Sequence, residues 1–212
     1  MPDRRNLSMT STDRQHGSFS FRGLLPSDFE EIKALHEEMF PVKYSDHYYQ
    51  NICNGIGLHK GMIYSDIAIS NESGLIAGFI VAQLMTYPDQ CEDELFMTGK
   101  QPSSACYILT LGVRREYRRT GLATTIINHC KQFAIDSHNC GAIYLHVIDY
   151  NHSAIKFYNQ NRFRFIQVLH EFYKINDSFF TAYLYAFYLN NYQPPFMCSF
   201  LANARYVSLI DI

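Results

Sequence analysis

Two polar side chains lie in otherwise apolar segments of the chain. Tyr107 opens the run Tyr-Ile-Leu-Thr-Leu-Gly-Val, and His146 lies within Ile-Tyr-Leu-His-Val. With ordinary pKa values of about 6.5 and about 10, a neutral histidine accepts a proton near neutral pH and a tyrosine donates one. A buried histidine is more often a satisfied core residue, but parallel neighbouring strands would bring both polar groups to one cleft. We therefore predict Tyr107 and His146 as a catalytic pair.

A glycine-containing turn follows the segment that holds Tyr107. The run Arg118-Arg-Thr-Gly-Leu-Ala123 precedes apolar residues at three- and four-residue spacing, which predicts a turn and then a helix. Free N–H groups and the dipole at a helix N-terminus favour phosphate, and Gly121 lets the backbone approach a ligand. Arg118 and Arg119 add positive charge. The hexapeptide alone is equally typical of an ordinary strand-to-helix connection, so the predicted anion site depends on its context.

The rest of the chain alternates predicted strands and helices. Ser27 with Glu30 three residues later is typical of a helix start, and Pro41 ends that helix. The predicted strands cover residues 19–24, 62–70, 75–85, 105–113, 142–148, 163–170 and 179–189. The other predicted helices cover residues 48–53, 122–137 and 153–160. This order predicts an α/β fold with one mixed sheet of seven strands and helices on both faces.

Length and composition favour a single domain with two short extensions. The 212 residues are enough for one full core. Residues 1–17 are polar and are predicted to be a disordered tail. The domain itself is predicted to cover residues 18–192. Residues 193–212 form a C-terminal extension that could become an amphipathic, membrane-associating helix.

The charge and the cysteines exclude several classes of function. A net charge of −2 gives no general attraction to nucleic acid. The six cysteines are scattered without paired spacing, which favours reduced thiols. His129 beside Cys130 and His138 near Cys140 lack the spacing of a zinc site, so no metal is expected. No apolar run approaches the roughly 20 residues that cross a bilayer, and we expect a cytosolic protein.

The glycine-containing turn resembles a known cofactor loop. Arg118, Gly121 and Ala123 match the pattern Q/R-x-x-G-x-G/A of the acetyl-CoA loop in the GCN5-related N-acetyltransferases (GNAT superfamily). The resemblance implies acetyl-CoA as cosubstrate, with its pyrophosphate on this loop and its pantetheine along the backbone of Leu111 and Val113. It also implies a mostly antiparallel, seven-stranded sheet that is splayed at the centre. The implied acetyl-CoA site comprises Leu111, Gly112, Val113, Arg118, Arg119, Thr120, Gly121, Leu122, Ala123, Thr124, Asn151, Tyr158, Asn159, Gln160 and Asn161.

Four further segments resemble motifs of the N-terminal acetyltransferases that act on Met-hydrophobic N-termini. They are Phe40-Pro-Val-Lys-Tyr44, residues 107–113, residues 144–147 and Asn151-His-Ser-Ala-Ile-Lys-Phe-Tyr158. Residues 19–196 carry the resemblance, which is greatest for the NatF type and second for the NatE type. It implies Tyr107 and His146 as the catalytic residues. The implied peptide site comprises Phe40, Pro41, Val42, Tyr44, Leu109 and Tyr173.

Three features depart from the NatF-type pattern. Lys43 lies where these enzymes often carry an acid, so a preference for a basic second substrate residue does not follow. Phe172 replaces one of two neighbouring tyrosines. NatF-type enzymes attach to the cytosolic side of Golgi membranes through longer C-terminal helices, whereas the extension here is short. The resemblance implies that location, with N-termini of transmembrane proteins as partners, and leaves monomer and homodimer open.

The chemistry implied is direct attack of a deprotonated amine on the thioester, without an acyl-enzyme. Tyr158 is the predicted donor that reprotonates the leaving thiolate. An α-amine with a pKa of about 8 is partly neutral near pH 7, whereas a lysine amine at about 10.4 needs a stronger base. Because no glutamate lies on the two central strands, N-terminal acetylation is favoured over lysine or histone acetylation. A lysine acetyltransferase and a non-enzymatic acetyl-CoA-binding scaffold remain the alternatives.

Overall fold

The computed structural model describes residues 14–57, 63–92, 95–96 and 101–194. In these residues the strands are β1 Arg14–His16, β2 Phe19–Arg22, β3 Ile63–Ser70, β4 Ile76–Thr86, β5 Ser104–Val113, β6 Cys140–Ile148, β7 Arg164–Ile175 and β8 Ser178–Tyr188. The α-helices are α1 Phe29–Met39, α2 Asp46–Cys53, α3 Leu122–Asp136 and α4 His152–Gln160. Each predicted strand and helix is present, and β7 runs several residues further than predicted.

The described strands form one sheet in the order β1-β2-β3-β4-β5-β6-β8-β7. Neighbouring strands are antiparallel except β5 and β6, which are parallel. This arrangement confirms the predicted mixed, mostly antiparallel sheet of the GNAT type. In addition to the seven predicted strands, the sheet contains β1, a short eighth strand at one edge.

The structure differs from the predicted N-terminal tail at residues 14–17. Gly17 has a φ of +59°, which a glycine adopts without strain, and it allows Arg14–His16 to fold back on Phe19–Arg22. The backbone pairs Arg14 with Phe21 and His16 with Phe19. Hydrogen bonds to an ordered strand therefore hold a polar segment that lacks an apolar pattern of its own. Residues 1–13 of the tail and 195–212 of the C-terminal extension lie outside the described residues.

The start of α1 also differs from the prediction. A 3₁₀ turn, Pro26–Asp28, precedes the α-helix, which begins at Phe29 rather than after Ser27. The Asp28 side chain accepts a hydrogen bond of 2.8 Å from the Leu25 N–H and pairs with Arg22 at 2.7 Å. The Asp28 side chain thus closes the 3₁₀ turn, and Asp28 rather than Ser27 immediately precedes α1.

The sheet opens between its two central strands. The β5–β6 pairing covers Ser104 to Tyr107 and ends where Tyr107 lies opposite Tyr144. Beyond this point β5 pairs only with β4, and β6 pairs only with β8. Leu109 is an extra residue on β5, because its neighbours pair with consecutive residues of β4, and such a bulge bends a strand. The predicted splay is confirmed, and it leaves a cleft beside Tyr107.

Helices cover both faces of the sheet, as predicted. Ile32 of α1 and Tyr49 of α2 pack with Phe79 of β4 in one core cluster. Ile126 of α3 belongs to the cluster on the opposite face, which also contains Tyr158 of α4. The two helix layers therefore support the central strands from both sides at the cleft. Among the described residues, no helix has both the length and the apolar character needed to cross a bilayer.

Candidate active site

Tyr107 and His146 meet at the point where β5 and β6 separate. The Tyr107 Oη lies 3.1 Å from His146 Nδ1, and the two ring planes meet at 66°. Tyr144 stacks on Tyr107 with 4.9 Å between ring centroids, and Phe172 covers His146 at 4.2 Å. Tyr173 Oη donates a hydrogen bond of 3.2 Å to the His146 carbonyl. The structure thus brings the predicted pair into hydrogen-bond contact and packs both rings tightly.

The ionisation of Tyr107 determines what this pair can do. Burial raises the pKa of Tyr107 well above 10, and the nearby Tyr173, Tyr44 and Glu92 act in the same direction. Tyr107 is therefore a neutral phenol at neutral pH. Its oxygen can accept a proton from another group only as its own proton leaves, and His146 Nδ1 is the acceptor within reach.

Glu92 is a neighbour of His146 that the sequence interpretation missed. Its Oε1 lies 3.2 Å from His146 Nε2. The contact has the distance of an ion pair but not the angle of a hydrogen bond, so Nε2 is buried without a hydrogen-bond partner among the described residues. Glu92 lies in the irregular segment between β4 and β5, where no periodic pattern indicates a position. The lack of a glutamate on β5 and β6 therefore no longer argues for N-terminal over lysine acetylation.

A cavity of about 190 Å³ extends from His146 toward α1; we call it the His146 cavity. Its walls include all six residues of the implied peptide site: Phe40, Pro41, Val42, Tyr44, Leu109 and Tyr173. His36, which the sequence interpretation also missed, lies in the same wall against the rings of Phe40 and Tyr44. Burial lowers the pKa of His36 to about 4, so this histidine is neutral at pH 7. The cavity presents a mainly aromatic and aliphatic surface.

A second cavity of about 390 Å³ lies beside the start of α3; we call it the α3 cavity. Its lining residues are Met39, Phe40, Leu111, Gly112, Val113, Arg118, Ala123, Asn151, Ser153, Ala154, Phe157 and Tyr158. Six residues line both cavities: Met39, Phe40, Leu111, Asn151, Ala154 and Tyr158. The two cavities therefore adjoin, and together they connect the N-terminus of α3 with His146.

One glycine lines the α3 cavity, and another caps the helix beside it. Gly121 caps α3 with a φ of +89°, a conformation that side-chain-bearing residues rarely adopt. A Cβ on Gly112 would lie 2.7 Å from Met39 Sδ and 3.0 Å from Phe79 Cε1, so this position has no room for one. Arg118 reaches back from the turn, and its Nε donates a hydrogen bond of 2.9 Å to the Val113 carbonyl. The guanidinium is therefore held at the rim of the cavity, between the end of β5 and the start of α3.

Some residues of the implied acetyl-CoA site are not part of either cavity wall. Those that line neither cavity are Arg119, Thr120, Gly121, Leu122, Thr124, Asn159, Gln160 and Asn161. Three of them have structural contacts: Thr120 Oγ1 donates to the Tyr117 carbonyl, Leu122 is buried in the core, and Asn161 Nδ2 donates to the Phe157 carbonyl. A binding role for these eight residues remains a prediction from the resemblance.

Tyr158 is the hydroxyl common to the two cavities. Its side chain is buried, and burial raises its pKa well above 10. The group is therefore a neutral donor at neutral pH, as its predicted role requires. Among the described residues, no group of three His, Cys, Asp or Glu side chains is placed to hold a metal ion.

The mixed sheet opens between two parallel central strands. The cleft that results has a helix N-terminus at one end and a proton-accepting pair at the other. This arrangement defines the class of GNAT acyltransferases. The model of the acetyltransferase (GNAT) family matches residues 29–163. The chain therefore belongs to the acetyltransferase (GNAT) family and is an acetyltransferase by class.

Several known proteins resemble the chain over most of its length. It is 32% identical to "Histone acetyltransferase MCC1" of Arabidopsis thaliana over 90% of the chain and 77% of that protein. It is also 32% identical to N-alpha-acetyltransferase 60 of Xenopus tropicalis over 82% of the chain and 71% of that protein.

Arabidopsis thaliana NAA60 resembles the chain in two solved structures. The complex with a bisubstrate analogue has a TM-score of 0.71 and 34% identity, over 81% of this chain and 98% of that one. The complex with acetyl-CoA has a TM-score of 0.69 and 31% identity, over 82% and 99%. The similarity to N-alpha-acetyltransferases confirms the predicted class of enzyme.

Proposed function

We propose that the protein transfers the acetyl group of acetyl-CoA to the α-amine of protein N-termini, with a preference for Met-hydrophobic N-termini. The observation that carries the proposal is the hydrogen-bonded Tyr107–His146 pair at one end of a cleft whose other end is the N-terminus of α3. The similarity to NAA60, which has been crystallised with acetyl-CoA and with a bisubstrate analogue, supports it.

The α3 cavity has the features that acetyl-CoA requires. The first-turn N–H groups of a helix and its dipole attract phosphate, and Arg118 holds a positive charge at the same rim. The pantetheine arm needs backbone partners, and β5 beyond Tyr107 has no strand beside it on the β6 side. Acetyl-CoA supplies the activated acetyl group, and the chain supplies the groups that orient the reactants and move protons.

The His146 cavity suits the side chain of an N-terminal methionine. Phe40, Val42 and Leu109 give it an apolar wall, and a thioether adapts to irregular apolar space. Because this cavity also contains His146, a methionine side chain placed in it brings its α-amine close to the proton-accepting pair. Lys43 lies next to this wall in the sequence and is exposed, so a basic second residue gains no attraction from it.

The proposed mechanism follows from the ionisation of the buried groups. Tyr107 Oη takes a proton from the incoming ammonium through one water, while its own proton passes to His146 Nδ1. The freed amine then attacks the thioester carbonyl carbon, and the C–S bond breaks as the C–N bond forms. Tyr158 donates its O–H proton to the departing thiolate. The nitrogen loses its second proton as the amide forms, and this proton returns to Tyr158 directly or through water, which balances the reaction.

The central test is turnover of acetyl-CoA with a panel of peptides. Peptides that begin Met-Leu, Met-Lys and Ser-Glu are compared with an N-blocked peptide that carries a lysine. We expect Met-Leu to be acetylated fastest. Tyr107→Phe and His146→Ala should each lower the rate by about 100-fold or more, the usual contribution of a general base. Tyr150→Phe is the matched control, because Tyr150 is half exposed and lies outside both cavities.

Two results would contradict the proposal. If both catalytic variants kept wild-type turnover, the pair would not be the base. If none of the peptides were acetylated while acetyl-CoA still bound, the chain would be the non-enzymatic scaffold. Unchanged acetyl-CoA binding in Tyr107→Phe is expected in either case, since Tyr107 lines neither cavity.

A lysine acetyltransferase is the second candidate function. The relative named as a histone acetyltransferase favours it, and so does the carboxylate of Glu92 beside His146, because a lysine amine needs a stronger base. Faster acetylation of the blocked lysine peptide than of Met-Leu would favour this candidate over the first.

We also propose that the protein acts at the cytosolic side of the Golgi membrane, on N-termini of transmembrane proteins. The apolar residues of the C-terminal extension support this location. Deleting residues 197–212 and fractionating cells tests it: the protein should leave the membrane fraction, and unchanged recovery there would refute the role of the extension.

A further inference from the structure

Glu92 reaches the catalytic pair from outside the sheet. It lies in the segment that joins β4 to β5, and its carboxylate is one-quarter exposed (25%), whereas the His146 side chain is only 3% exposed. His146 thus has two polar neighbours: Tyr107 at Nδ1 at 3.1 Å and Glu92 at Nε2 at 3.2 Å. The three side chains form a row that leads from the buried cleft toward solvent.

The charge of Glu92 determines which nitrogen of His146 carries the proton. An ionised carboxylate can only accept a hydrogen bond, so its contact with Nε2 is favourable only when Nε2 carries a hydrogen. In neutral histidine the other nitrogen, Nδ1, is then the acceptor. This is the tautomer that can receive the hydroxyl proton of Tyr107. The opposite tautomer would place the Nε2 lone pair against the carboxylate.

The angle of the Glu92 contact is compatible with such a role. Nε2 is buried and has no aligned acceptor among the described residues, which is unfavourable for an N–H group. Catalytic hydrogen bonds are often poorly aligned before substrate binds and tighten in the complex. The carboxylate is already at hydrogen-bond distance, so a rotation of the Glu92 side chain is enough to align it.

We infer that Glu92 is a positioning residue of the proton relay, which holds hydrogen on Nε2 of His146 so that Nδ1 is free to accept the proton of Tyr107. The inference rests on the proposed function. The substrate ammonium gives a proton to Tyr107 Oη, Tyr107 gives its own to His146 Nδ1, and the Glu92 carboxylate stabilises the imidazolium, which keeps its Nε2 proton. After acetyl transfer, Tyr107 gives the substrate's proton to water and takes its own back from Nδ1, which restores the starting tautomer.

The other ionisable groups around His146 stay uncharged in the range where the relay would work. Burial raises the pKa of Tyr107 and Tyr144 well above 10, raises that of Tyr173 strongly, and raises that of Tyr44 and Cys91 to about 12. From about pH 5 to 9, these five groups therefore do not change charge. A change in the His146 tautomer over this range that depends on Glu92 thus reports on the Glu92–His146 contact.

The test compares Glu92→Gln with Asp89→Asn in steady-state acetylation of the Met-Leu peptide. Glutamine keeps the size of the side chain and removes its charge, and Asp89 is an exposed acid of the same segment that serves as the control. We expect Glu92→Gln to lower kcat by about tenfold or more while the KM for acetyl-CoA stays unchanged. Asp89→Asn should leave kcat unchanged.

Two further measurements separate positioning from simple packing. Glu92→Asp keeps the charge, so His146 should keep its wild-type tautomer even if kcat falls. In ¹⁵N-histidine spectra, Glu92→Leu, which offers Nε2 no acceptor, should lose the preference of His146 for the tautomer with hydrogen on Nε2.

The inference is overturned if Glu92→Gln has the wild-type kcat, or Glu92→Leu the wild-type His146 tautomer, while Tyr107→Phe is strongly impaired; the proposed function would then stand without Glu92. If Tyr107→Phe and His146→Ala are fully active, the proposed function itself fails. These two failures are therefore distinguishable.

Discussion

Because Gly112 has no side chain, we expect a substitution at this position to weaken acetyl-CoA binding. In Gly112→Ala the new Cβ would lie 2.7 Å from Met39 Sδ and 3.0 Å from Phe79 Cε1, closer than ordinary carbon contacts. Phe79 is fully buried, whereas Met39 is half-buried and flexible, so Met39 is the side chain that moves. Because Met39 lines both cavities, its displacement narrows the junction between them.

The magnitude follows from the cost of overpacking. Inserting a methyl group into a closely packed site costs about 1–3 kcal/mol. If that strain must be relieved for acetyl-CoA to enter, the Kd for acetyl-CoA rises by about fivefold to 100-fold. Isothermal titration calorimetry measures the Kd, and thermal unfolding measures any part of the cost that the fold itself bears.

A second substitution tests the proposed cause. Met39→Ala removes the sulfur atom, so adding it to Gly112→Ala should recover much of the lost affinity relative to Met39→Ala alone, as a double-mutant cycle. Gly23→Ala is the matched control, since its Cβ would meet only Ser65 at an ordinary 3.7 Å. The reasoning would be refuted if Gly112→Ala bound acetyl-CoA with wild-type affinity. It would also be refuted if Gly112→Ala lowered the affinity equally in the wild-type and Met39→Ala backgrounds.

Three further predictions concern single side chains. Burial lowers the pKa of His36 to about 4. As the pH falls from 6.5, the histidine of the unfolded chain therefore binds a proton while that of the folded chain stays neutral. The free energy of unfolding should drop by about 3 kcal/mol toward pH 4. Urea unfolding of His36→Phe should lack this component, and an identical pH slope would contradict it. Arg118→Ala should weaken acetyl-CoA binding by about tenfold, less so at high salt, and should leave binding of a pantetheine analogue without phosphates unchanged. Tyr158→Phe should lower kcat but not the affinity for acetyl-CoA, measured by single-turnover kinetics and calorimetry; an unaltered kcat would exclude Tyr158 as the thiolate donor.

Sequence patterns predicted the elements of this fold well because their signals are local. The three- and four-residue spacing of Ile126 and Cys130 indicates a helix wherever the chain lies, and the apolar run around His146 indicates a buried strand. Where the structure differs, another contact competes with the local signal. Asp28, held by Arg22, replaces Ser27 at the start of α1.

The candidate site could be predicted only in part, because some of its contacts leave no local signal in the sequence. Tyr107 and His146 are recognisable as polar groups in apolar strands, and the structure brings them to 3.1 Å. Glu92 and His36 belong to segments whose sequence gives no sign of the neighbours they meet. Their contacts join residues far apart in the chain, so no spacing rule could indicate them.

The amino-acid sequence by itself determined the order of strands and helices, the glycine turn before α3 and the two side chains able to exchange a proton. Steric preferences, caps and the alternation of apolar residues act over a few residues, and a linear pattern records them. The tertiary structure alone decided that β5 and β6 part after Tyr107, that two cavities adjoin at Met39, and that Glu92 stands at the outer nitrogen of His146. These features arise from close packing between distant segments, where each atom's position depends on all its neighbours at once.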